Sequence, residues 1–170
     1  MRRTLPALLA CLLIAGCGGG SSRIASTTNT STTTATTTVS PTAQLEQGVR
    51  RAIALNAELS NWVLWHNSIP PWAARSTDGP ALAALRSASA ARRRQHLQML
   101  GVSPHFQVIS ITLSPSFTRA VAVVQVKGEV RPYRNGKLLG HGIKETERAR
   151  LQLHRVGTAS TFVVWKVEAA

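Results

Sequence analysis

Residues 119–154 read RAVAVVQVKGEVRPYR-NG-KLLGHGIKETERARLQLH, two long alternating runs joined by Asn135-Gly136. Asn-Gly between alternating apolar segments is the strongest short-range signal for a type I′ hairpin. In that geometry facing residues have numbers that sum to 271, so Arg134 faces Lys137 and Val126 faces Glu145. The register can be checked internally. Lys144, Thr146, Arg148, Arg150, Gln152 and His154 form a polar face of the second run, and Leu139, His141, Ile143, Glu145, Glu147, Ala149, Leu151 and Leu153 form the other. The odd-numbered face is therefore the one turned to a core. It meets Ala120, Ala122, Val124, Val126, Gly128 and Val130, all small or apolar. A one-residue slip would turn every side chain to the wrong face, so the two patterns support one another.

Outward from this hairpin, Phe106–Leu113 and Thr161–Glu168 also alternate with period two, giving an antiparallel sheet of about four strands. Two helical stretches precede it. Ser40-Pro41 is an N-cap followed by proline in the first helical position, and Leu45, Val49, Ala52, Ile53, Leu59 and Val63 recur at helical spacing to about His66. A second helix is expected from Gly79-Pro80 to Leu100, closed by Gly101, with Ser87-Ala88-Ser89 as a weak point. Trp62, Trp65 and Trp72 are expected to plug the core or the helix–sheet seam, and Arg92-Arg93-Arg94 to form a solvated face. Helices first and a meander after them make an α+β layer.

With this element order, the strand Ala120-Val121-Ala122-Val123-Val124 and the closing Phe162-Val163-Val164-Trp165-Lys166-Val167, the stretch Ala43 to Glu168 resembles the NTF2-like (SnoaL-like) superfamily. The resemblance implies a cone of helices on a strongly curved sheet, with a cystatin-like arrangement as its near neighbour. Ketosteroid-isomerase-like members of the superfamily use a tyrosine with aspartates. Here the single tyrosine, Tyr133, adjoins the hairpin turn, and the single aspartate, Asp78, precedes the second helix. No catalytic residue carries over.

The amino terminus supplies an address. Arg2-Arg3, an apolar run from Leu5 to Ala15 and the order Ile14-Ala15-Gly16-Cys17 resemble the lipobox of a bacterial lipoprotein. The apolar run is about half the roughly 20 residues that span a bilayer. The implied organisation is a signal peptide over 1–16, a lipidated Cys17 opening a tether over 17–40, and a folded domain over 41–170. The 23 residues from Gly18 to Ser40 include 9 threonines and 5 serines and offer nothing to bury. Such a lipoprotein sits at the cell membrane on its extracytoplasmic side.

Cys11 and Cys17 are the only cysteines, so the expected mature domain has no thiol for a disulfide or a metal site. With 20 basic residues against 7 acidic ones the chain carries a formal charge of +13. In an exported domain that balance favours anionic wall polymer, headgroups or an envelope protein over nucleic acid, with a GC-rich coding bias (16 arginines to 4 lysines) as an equal account of it. A homodimer through the outer sheet face is a further expectation for curved sheets of this type.

No phosphate-binding glycine loop, zinc motif or nucleophile elbow occurs, and neither metal nor cofactor is implied. The residues left to hold a ligand are His141, Glu145 and Glu147 on the inward face. Carboxylates two residues apart on a strand lie about 6–7 Å from each other. Given the excess of arginine, ion pairing to the overlying helices is the first expectation for these glutamates. A ligand-orienting role comes second, and acid–base chemistry of the isomerase, cyclase or dehydratase kind third. The leading functional expectation is a non-catalytic ligand- or protein-binding domain.

Overall fold

The computed structural model describes residues 40–157 and 159–170, so the expected signal peptide, Cys17 and nearly all of the tether lie outside the described residues. Helix α1 spans Pro41–His66, a 3₁₀ turn Pro71–Arg75 and helix α2 Gly79–Arg94. The strands are β1 (Leu97–Leu113), β2 (Arg119–Arg134), β3 (Lys137–Leu138), β4 (Ile143–Arg155) and β5 (Phe162–Ala169). The fold is α+β: two helices packed on an antiparallel sheet of order β1-β2-β4-β5, with β3 a two-residue stub on β2.

The first helix begins and ends as its sequence predicts. Ser40 Oγ accepts the Ala43 N–H at 3.2 Å, Pro41 fills the first turn, and Asn67 closes the helix in the left-handed region at φ 50°. Leu45, Val49, Ala52, Ile53 and Ala57 lie along one stripe and meet the sheet's inner face. That face carries Ala122, Val124, Val126, Leu151, Leu153, Phe162 and Val164. Small alanines on β2 opposite large aliphatics on α1 let helix and sheet approach closely. A second cluster of Leu59, Val63, Ala73, Leu82 and Leu85 joins the two helices beyond the sheet.

The hairpin turn forms at Asn135 (φ 50°) and Gly136 (φ 77°), as type I′ geometry requires. The expected register holds only for Tyr133–Leu138 and Arg134–Lys137. From Val130–Ile143 to Arg119–His154 the facing numbers sum to 273, so Val126 faces Glu147 and Gly128 faces Glu145. The cause is an excursion over 139–142. Pro132 has no N–H to return to the ladder, and its carbonyl instead accepts the Leu139 N–H at 2.8 Å. A shift of two leaves every residue on its expected face, so the odd-numbered residues of β4 still turn inward and Leu151 and Leu153 are buried.

Two expectations about the middle of the chain fail. The second helix stops at Arg94 and is not broken at Ser87–Ser89, while Gly101 lies inside β1. The strand is claimed early because the end of α1 grips its start. Asn67 Nδ2 donates to the Leu97 carbonyl at 2.6 Å and Gln98 Nε2 to the Trp65 carbonyl at 3.3 Å. Arg92 is not solvated either. It is 6% exposed, with Nε donating to Asn67 Oδ1 at 2.9 Å and a terminal nitrogen to the Val63 carbonyl at 3.1 Å. The guanidinium thereby satisfies the buried Asn67 Oδ1 and adds a second donor to the Val63 carbonyl, which already accepts the Asn67 N–H at 3.1 Å.

Both free edges of the sheet are modified. Ser76–Asp78 lies against β5, joined by a parallel bridge from Thr77 to Val164. At the other edge, β1 is interrupted by register shifts between Val102 and His105 and between Val108 and Ser110.

Candidate functional site

The three residues nominated by the sequence do not form one site. His141 falls in the excursion between β3 and β4, exposed and off the strand, so it does not share the inward face of Glu145 and Glu147. Both glutamates are half-buried on that face, opposite Gly128 and Val126. The expected ion pairs are absent: among the described residues no arginine or lysine bridges either carboxylate. Burial, and then the charge of Glu147, raise the pKa of Glu145 above the usual carboxylate range. Glu145 borders an open depression of about 360 Å³ shared with Lys127, Glu129 and Lys144. The depression beside it is open and holds no histidine, so the geometry offers no acid–base pair.

A larger concavity, of about 590 Å³, lies where β2, β4 and β5 meet. Arg119 faces His154 across the β2–β4 ladder, Val121 faces Gln152 and Val123 faces Arg150, so these polar groups share the outer face of the sheet. Trp165 closes one side, its ring 5.1 Å from that of His154. The indole is fixed by Gly79, whose φ of +52° and contact with the ring leave no room for a Cβ.

Beyond this concavity the outer face continues to the hairpin with one sign of charge. Arg119, Lys127, Arg131, Lys144, Arg148, Arg150 and Lys166 stand on it with only Glu129 and Glu168 among them. Both carboxylates are occupied. Arg131 holds Glu129 at 2.6 Å, and Lys166 holds Glu168 at 2.6 Å, with Gln152 donating to it as well. Hydrogen bonds from Lys166 and Gln152 keep the Glu168 carboxyl below its ordinary range. The apolar stripes of the helices pack on the inner face, and at the hairpin end of the outer one Trp65 of α1 meets Tyr133, two residues beyond Arg131.

A third concavity, of about 390 Å³, gathers side chains that the sequence assigned to the core. Glu58, Asn61, Trp62, Trp65 and His66 come from one face of α1, Trp72 from the 3₁₀ turn and Leu100 from β1. Trp62 is 40% exposed and stacked on His66, with ring centroids 3.8 Å apart. Trp65 meets Tyr133 edge-on at 5.6 Å, and only Trp72 packs against the second apolar cluster. The spacing 58, 61, 62, 65 is legible in the sequence as a polar–aromatic stripe, but it resembles a core stripe until the sheet's side of the helix is known.

Among the described residues no group of three or more histidine, cysteine, aspartate or glutamate side chains is placed to hold a metal, and no helix is long and apolar enough to cross a membrane. No family model matches the chain, and no curated protein matches it. Among solved structures, the chain is similar to the crystal structure of the intermembrane space region of the chloroplast protein ARC6. That match has a TM-score of 0.55 at 13% identity, over 64% of this chain and 83% of the other. At that identity the likeness concerns the fold alone.

Proposed function

We propose that this protein is an extracytoplasmic lipoprotein, held at the cell membrane by lipid on Cys17, whose domain is a non-catalytic binding module of NTF2-like type. The partner is an anionic component of the envelope, wall polymer or headgroup, met by the open outer face of the sheet. One observation carries this reading: seven cations stand on that face, and its two carboxylates are already engaged. About 1 kcal/mol per basic residue near an anionic surface is enough to hold a domain there without a shaped pocket. A sheet-face homodimer would set like charges against each other and is the weaker use of the same surface.

The test is calorimetry of the full chain in neutral detergent with polyglutamate as the polyanion. Binding is expected at low salt and should fall steeply as ionic strength rises, because exposed charges are screened within about 8 Å at 0.15 M. A salt-independent affinity, or none at low salt, removes the reading. The address is tested separately by mass spectrometry of the mature protein, which should begin at an acylated Cys17. An unmodified amino terminus would overturn it.

A further inference from the structure

The groove at the end of α1 has a chemistry that the rest of the molecule lacks. Trp62, Trp65 and Trp72 are three of the four tryptophans in the chain, and all three line it. Neither lysine nor arginine contributes to its walls, although basic residues outnumber acidic ones 20 to 7 overall. The one formal charge in the lining is Glu58, which is exposed and has no ion pair among the described residues.

Indole faces carry negative electrostatic potential, so several of them beside a carboxylate favour a positive group over a neutral or negative one. The remaining walls agree. His66 Nδ1 lies 3.1 Å from the Trp62 carbonyl, which can only accept, so the ring is tied back to its own helix. The imidazole stacks on the Trp62 indole at 14° and so backs one of its faces, which leaves a cation the other. Asn61 adds an amide that can accept through its oxygen, and Leu100 adds an apolar floor.

A purely structural role leaves the arrangement unexplained. An indole carries about 150–250 Å² that folding gains by hiding, and the second apolar cluster lies next to it, yet Trp62 stays 40% exposed.

We propose that this groove is a binding site for an organic cation, an ammonium group on an apolar body, seated against the faces of Trp62, Trp65 and Trp72 with Glu58 balancing its charge. The site is separate from the basic sheet face and does not depend on that face's role. Selection is by charge and shape: an anion meets both the π faces and Glu58, and a strongly hydrated small ion gains nothing from the indoles.

The probe is choline, compared with its neutral isostere 3,3-dimethylbutan-1-ol, titrated into the full chain in neutral detergent at constant ionic strength. The indole N–H resonances of the four tryptophans are the readout. Choline should move those of Trp62, Trp65 and Trp72 and leave that of Trp165 in place. Half-saturation is expected in the millimolar range, and the isostere should bind at least about fivefold more weakly. Glu58→Gln and Trp62→Ala should each weaken choline by about fivefold or more. Glu58 is on the surface, so Glu58→Gln keeps the test valid if Trp62→Ala disturbs the fold. Equal binding of choline and its isostere, no response of the three resonances by about 100 mM choline, or full affinity in Glu58→Gln would overturn the proposal.

Discussion

Trp62 and Trp165 are each 40% exposed, and each borders a concavity, but they sit in opposite electrostatic company. Around Trp165 the polar groups are Arg119, Arg150, Gln152 and His154, on a sheet face where both carboxylates are already taken. Around Trp62 they are Glu58, Asn61 and an imidazole, with neither lysine nor arginine. The formal charge of +13 therefore describes one region of this protein and misdescribes another. Net charge speaks to encounter with large partners, whereas local lining decides which small ligand is retained.

That contrast can be broken or sharpened by substitution. The largest effect is expected from Arg119→Ala, Arg148→Ala and Arg150→Ala combined. At about 1 kcal/mol each the triple variant should bind polyglutamate on the order of a hundredfold more weakly by calorimetry, with choline affinity unchanged. If both bindings fall together, the two regions are not independent.

Next in size is Arg92→Leu, which strips the end of α1 of the guanidinium shared by Asn67 and Val63. Val63 keeps the Asn67 N–H, but Asn67 Oδ1 is left as a buried open acceptor, at a cost of about 1–3 kcal/mol read as a lower denaturation midpoint. The folded fraction should lose choline affinity but keep its grip on the polyanion. Trp165→Ala should cost about 1 kcal/mol of stability through lost contact with Gly79 and His154, and should not affect choline.

The smallest effect belongs to Glu145. Its folded pKa is raised, so the native state holds the proton more tightly than the unfolded chain, and stability falls as pH climbs from the ordinary carboxylate range through the raised value. Glu145→Gln should therefore melt slightly later than the parent protein at neutral pH. The difference should vanish once acid has protonated the carboxyl in both states.

The sequence and the folded chain agree best where local chemistry acts alone. Ser40-Pro41 starts a helix by capping and restricted φ, and Asn135-Gly136 makes a turn by tolerating positive φ. Both need no distant partner. Disagreement begins where a distant group intervenes. Leu97–Gly101 has no β-branched residue, reads as the tail of a helix, and becomes strand because Asn67 and Gln98 tie it to α1. Arg92 sits in a run of three arginines that looks solvated, and nothing in that run marks which of them the end of α1 will enlist.

The nominated site was legible only in part. Period two places Glu145 and Glu147 together on the inward face, but it carries His141 along too, because the missing N–H of Pro132 acts across the hairpin. The aromatic groove was hidden for a related reason. Trp62 and Trp65 are spaced as core residues are, and only the position of the sheet decides which stripe of α1 faces outward.

The interruptions in β1 carry one more implication. A border strand of 17 residues with an unbroken row of free amides would be a template on which identical molecules could zip together. Here the two register shifts and Pro104 divide that row into short lengths, so neighbouring molecules have no long seam to share. Straightening the strand by removing those irregularities would be expected to increase self-association through this edge.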